Sequence, residues 1–139
     1  MDPLELLRLS RREQMLYRQL IDVYRGLRTA LADAQAPVGV AWIAAEQARA
    51  ETVSGEIRLL GAVLASHRLT GASVSPEVRD LWRETASLAT EAVDVNADVT
   101  TLARARRAEV ATRLTALGNG RRALAAYRPR AGSRPALTA

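Results

Sequence analysis

The chain has 139 residues and a net charge of +5; 48% of it is hydrophobic but only 4% aromatic, with no Phe. That length supports one small domain burying roughly two-thirds of its unfolded surface, and with no Cys and a single His, disulfides, thiolate zinc sites and His-based metal clusters are excluded. All 20 basic residues are Arg: from Val99 onward nine Arg face one acid (Glu109), a net of +8, whereas 1–98 hold eleven Arg and fourteen acids, a net of −3.

Asp2, Pro3 and Glu5 open the chain as N-cap, first helical residue and N3 acid, the arrangement of a capping box. Leu6, Leu9, Leu16, Leu20, Val23, Leu27, Ala30 and Ala34 then follow steps of three and four, with Glu13 the one polar interruption. Tyr17, Tyr24 and Leu31 widen the stripe. This spacing predicts an amphipathic helix of about 30 residues, near 45 Å long. QAPVG (35–39) breaks the pattern. A second seam runs through Ile43, Glu46, Ala50, Val53, Ile57, Leu60, Leu64 and His67. It ends in LTGASVSP (69–76), where Gly71 is placed to stop one helix and Ser75 and Pro76 to start the next.

The third segment, 76–117, carries Leu81, Thr85, Leu88, Ala92, Val95, Val99 and Leu102 on its seam. Beyond Leu102 the phase slips: Arg106 takes the next seam position, and Val110, Leu114 and Leu117 resume on a shifted face. GNG (118–120) is expected to end the helix, RRALAAY (121–127) to form a short second one, and RPRAGSRPALTA to be a disordered basic tail. Short connections between helices favour antiparallel neighbours. The expected fold is therefore all-α: an elongated antiparallel three-helix bundle or coiled coil over 1–117, with a flexible Arg-rich tail over 118–139. The third helix, near 60 Å, would project at its C-terminal end by roughly 10 to 15 Å.

Little in the sequence has the form of a catalytic site. His67 is placed as a structural seam residue, Glu13 and Glu46 as register-setting polar residues, and Trp42 and Trp82 as core or boundary anchors. No Gly-rich phosphate loop, nucleophile elbow or metal-spaced acid cluster is present. The expectation is a binding protein that is not an enzyme and needs no cofactor or metal. No apolar run approaches the ~18 residues of a membrane span. The acidic opening MDPLELLRLSRRE lacks the basic region of a signal peptide, so a cytoplasmic location without membrane insertion is expected.

The Arg-rich end admits two readings. Arg104, Arg106, Arg107, Arg113, Arg121 and Arg122, with Arg128, Arg130 and Arg134, can neutralise phosphates. Tyr127 is the lone aromatic among them, so a stacking platform for bases is missing and nucleic acid is the less favoured partner. The apolar face of Val99, Leu102, Ala103, Val110, Leu114 and Leu117 suits an added helix better.

Three stretches carry a family resemblance: REQMLYRQLIDVYRGLRTAL (12–31), EQARAETVSGEIRLLGAVLASHR (46–68) and VDVNADVTTLARARRAEVATRLTALGNGRRALAAYRPRAG (93–132). In their order the chain resembles the FlgN family of flagellar type III export chaperones, which are cytoplasmic helical proteins that hold hook-associated filament-junction proteins before export. The resemblance departs at Arg49 and Glu51, where family members often show a Lys-Glu pair, and in the more basic tail. It implies cargo binding by the C-terminal helical region, with Asn96 matching the family's Asn and Tyr127 its near-terminal Tyr, a residue linked to docking on the export gate and its ATPase complex. On this reading cargo would be held from premature assembly by Asn96, Val99, Leu102, Ala103, Val110, Leu114 and Leu117, with the arginines selecting acidic partners. The alternatives are a nucleoid-associated coiled-coil protein, a coiled-coil adaptor of another secretion system, and homodimerisation through the same exposed seam.

Overall fold

The computed structural model describes residues 1–33, 39–70 and 73–132, with side chains through 127. Among these residues the chain is all-helical and without strands: α1 spans Pro3–Ala32, α2 Val40–Leu69 and α3 Pro76–Gly132. None of these helices is long and apolar enough to cross a membrane. Residues 35–38 of QAPVG, the seam position Ala34 and the expected stop at Gly71 lie outside the described residues.

Two helix starts are set by local chemistry. The Asp2 carboxylate accepts from the Leu4 N–H at 3.3 Å, with Pro3 in the first turn. The Ser75 hydroxyl accepts from the Val78 N–H at 3.3 Å, and Pro76 opens α3. Each cap satisfies a backbone donor that has no intrahelical partner. α2 starts at Gly39 without a side-chain cap.

The chain divides into two compact units, Met1–Leu102 and Ala103–Ala139. In the first, the seam positions of α1 are buried at Leu6, Leu16, Leu20, Val23 and Leu27, and Ser10, Ile21 and Leu31 join them. The buried arc of α1 is wide because helices pack on two of its sides. α2 supplies Ala50, Val53, Ile57 and Leu64; α3 supplies Val78, Thr85, Ala92, Val95 and Val99. Leu6, Leu64 and Val78 form a cluster at one end, covered by Leu7, Leu9, Leu60, Val74 and Trp82. Full burial of a Leu or Val contributes about 1.5–3 kcal/mol, so this end holds the three helices together. Trp42 is 43% exposed and stands at the boundary of the fold, not in its core.

Register between α1 and α3 is written on the surface. Arg11 pairs with Glu77 at 2.6 Å, Gln14 donates to Glu84 at 2.6 Å, Arg25 pairs with Glu91, and Arg28 pairs with Asp98 at 3.2 Å. The numbers rise together on both helices, so α1 and α3 run side by side in the same direction. Exposed pairs of this kind each contribute about 0.2–1 kcal/mol; their larger effect is to penalise a slipped register.

The expected helix end at GNG does not occur. α3 continues through Gly118, Asn119 and Gly120, and residues 121–127 belong to it instead of forming a separate helix. Each glycine costs a helix interior about 1 kcal/mol relative to Ala, but the flanking RLTAL and RRALAA are strong helix formers. Arg113 also pairs with Glu109 at 2.6 Å one turn away. The two glycines weaken this stretch without breaking it.

Candidate functional site

Within the second unit, α3 carries a row of large apolar side chains that no other described residue covers. Val110 is 53% exposed, Leu114 62%, Leu117 60% and Leu124 68%. Ala103, Val110, Leu117 and Leu124 recur at seven-residue intervals and Leu114 lies beside them, which places them on one helix face. Singly exposed leucines need no explanation, but a continuous row does. Leu124 belongs to this row only because α3 runs unbroken through GNG. The seven-residue spacing 103/110/117/124 was the available signal, and the glycines masked it.

Tyr127 stands three residues after Leu124 and seven after Gly120 in the same helix and is exposed. It is part of the helix that carries the apolar row and is not separated from it by a hinge at Gly118. Arg104, Arg107, Arg121 and Arg122 are exposed; Arg113 is paired with Glu109, and Arg106 is half-buried and engaged. By helical phase Arg107 and Arg113 flank the apolar row on opposite sides, and Arg121 lies within it. The side chains of Arg128, Arg130 and Arg134 lie outside the described residues.

The other sequence-predicted contacts belong to the first unit. Val99 is buried in its core, and Leu102 is half-buried, lining a shallow hollow with Arg28, Thr29, Ala32 and Asp98. Asn96 is exposed, and its carbonyl accepts from the Thr100 hydroxyl at 2.9 Å. Val99 and Leu102 therefore serve the packing of α3 on its own unit. Ala103 is half-buried, and the row from Val110 to Leu124 is what stays exposed among the described residues.

A second cluster, also in the first unit, is polar and buried. Glu13 is 2% exposed, and Arg68 donates to both of its carboxylate oxygens, one contact at 3.3 Å. The same guanidinium lies 5.1 Å from the centre of the Trp82 ring, and the Trp82 indole N–H donates to the Ser10 hydroxyl at 2.9 Å. The contacts form a closed circuit, α1 to α2 to α3 and back to α1. Burial raises the pKa of the Tyr17 hydroxyl, the Glu13 carboxylate raises it further, and Arg68 opposes. A cleft of about 310 Å³ borders the cluster, lined by Tyr17, Arg68, Trp82 and Thr85 among others; the Thr85 hydroxyl is buried there without a hydrogen-bond partner among the described residues. Both Glu13 oxygens are occupied by the Arg68 guanidinium, which ties α1 to α2. Arg68 and Ser10 belong to this cluster, and the seam pattern did not indicate their parts.

No group of three or more His, Cys, Asp or Glu able to hold a metal ion occurs among the described residues. No family model, curated protein or solved structure matches the chain.

Proposed function

We propose that the chain is a cytoplasmic, non-catalytic binding protein that takes up an amphipathic helix of a partner along Ala103, Val110, Leu114, Leu117 and Leu124, without a cofactor. The supporting observation is that row of four large side chains, each more than half exposed on one face of α3. Burying each would contribute about 1.5–3 kcal/mol before the cost of ordering the partner. The bordering arginines select acidic flanks on the partner helix and speed encounter more than they add affinity. A second copy of the chain is the weaker occupant here, since it would set arginine against arginine. In the first unit, α2 packs antiparallel to α1 and α3, an up-down-up bundle that serves as the scaffold.

In its specific form the proposal follows the FlgN resemblance: an export chaperone that holds the helical ends of flagellar hook-associated proteins, shields them from premature assembly, and brings them to the export gate through Tyr127. The test is calorimetric titration of the full chain with synthetic terminal helices of hook-associated proteins, beside an acidic amphipathic helix of unrelated sequence. Binding of the hook-associated helices alone supports the chaperone form. Equal binding of both reduces it to a general helix adaptor, as in another secretion system. No binding of either, with steeply salt-dependent binding of duplex DNA, would replace it with the nucleic-acid reading.

A further inference from the structure

α2 carries a second uncharged face, opposite the one that packs in the first unit. Its core side is Ala50, Val53, Ile57 and Leu64, all buried. On the far side Ala41, Ala48, Gly55 and Ala62 recur every seven residues, and Ala45, Thr52, Leu59 and Ser66 interleave with them. Three-four spacing keeps these positions in one line. No charged residue falls on the line between Ala41 and Leu69. Its large members are bare, Leu59 at 73% and Leu69 at 86% exposure. Its two hydroxyls are satisfied within the helix: Thr52 donates to the Ala48 carbonyl at 3.0 Å and Ser66 to the Val63 carbonyl at 3.4 Å.

Gly55 stands at the middle of the line. A glycine in a helix interior weakens it, and no neighbouring atom lies within 4 Å of where a Cβ would stand. Beside it, on one edge of the line, stand Glu51 and Arg58, seven residues apart and opposite in sign. Neither makes an ion pair among the described residues. On the other edge Glu56 is already paired with Arg12 at 2.9 Å.

We propose that this face docks a second copy of the chain, α2 against α2 in antiparallel orientation, with the two-fold axis beside Gly55. Positions equidistant from Gly55 then meet: Gly55 faces its own copy, and Ala48 faces Ala62 of the partner subunit. Glu51, four residues before the axis, meets Arg58 of the partner subunit, three residues beyond it, and symmetry makes that pair twice. The missing side chain at Gly55 lets the two backbones approach closely. Charge selects both occupant and direction. The edge is self-complementary only when antiparallel, because a parallel in-register pair would bring Glu51 toward Glu56 of the partner subunit, acid against acid. This surface lies wholly on α2 and does not depend on the apolar row of α3.

The test is sedimentation equilibrium of the full chain across the micromolar range. The wild type should show a monomer–dimer equilibrium, and Ala62→Glu, at an exposed position, should be monomeric with unchanged helicity. Glu51→Arg should weaken the dimer about tenfold, because symmetry turns it into two like-charged pairs. Adding Arg58→Glu to it should restore the dimer. The chain has no cysteine, so Ala48→Cys and Ala62→Cys proteins mixed under oxidation should cross-link to each other and neither to itself. A wild type that stays monomeric overturns the proposal. So does a double charge swap that fails to restore association, or self-association that survives Ala62→Glu and is lost with Leu117→Asp.

Discussion

The Arg68 guanidinium lies 5.1 Å from the centre of the Trp82 ring while it donates to both carboxylate oxygens of Glu13. One side chain of α2 thus joins a carboxylate of α1 to an indole of α3. Glu13 is almost wholly buried, whereas Arg68 keeps about a third of its side chain in solvent. The expensive partner is the carboxylate, which must not lose its counter-charge.

Arg68→Ala should therefore destabilise the first unit by about 3 kcal/mol, the low end for a buried charge left unpaired. Urea denaturation measures it. Glu13→Leu combined with Arg68→Met, which removes both charges, should cost less than Arg68→Ala alone. If the double variant is the less stable of the two, the pair is a stabilising bond in its own right, and the account of Glu13 as a charge needing rescue fails.

The indole N–H of Trp82 and the Ser10 hydroxyl close the circuit at 2.9 Å. Ser10→Ala removes a fully buried hydroxyl and leaves the indole donor without its partner, at a cost of about 1–2 kcal/mol. Trp82→Phe removes the same bond from the other side. A double-mutant cycle between them should give a coupling of about 1 kcal/mol; additive losses would show that the two groups only pack against each other.

The three seams were legible because burial in a helical fold follows the three-four period: Leu16, Val53 and Val95 fall where the pattern puts them. The caps at Asp2 and Ser75 were legible because capping is local chemistry. The polar circuit was not. Glu13 and Arg68 are 55 positions apart, and Arg68 sits next to the seam residue His67, where a periodicity argument places a solvated charge. GNG is illegible for a related reason: the local preference of its glycines is outweighed by the helix formers on either side. The apolar row of α3 was half legible, since its heptad spacing is in the sequence while its truncation at Leu117 came from the supposed break.

A methyl group at Gly118 or Gly120 would meet no described side chain within 4 Å, so Ala fits at both. As both are helical, Gly118→Ala with Gly120→Ala should raise the helical content of the chain and stabilise the stretch by about 1–2 kcal/mol in all. Amide hydrogen exchange across 112–127 is the readout, and protection should rise roughly tenfold. A true break at GNG would leave exchange unchanged, because alanines in a loop gain nothing from helix propensity.

Leu117 is 60% exposed and central in the row from Val110 to Leu124. An Asp there removes no core contact, so Leu117→Asp should leave the thermal unfolding of the first unit within about 0.5 kcal/mol of wild type. It should nonetheless reduce binding of an amphipathic helix at least tenfold, since it sets an unpaired carboxylate where a buried methyl should lie. Leu4, also largely exposed but on α1, serves as control: Leu4→Asp should change neither. Ionic strength separates the readings further. Helix binding should weaken only modestly between low and physiological salt, while contacts to several phosphates would lose orders of magnitude. If Leu117→Asp binds its partner as wild type does, the apolar row is a bare helix face without a role in binding, and the basic residues beside it become the surface to pursue.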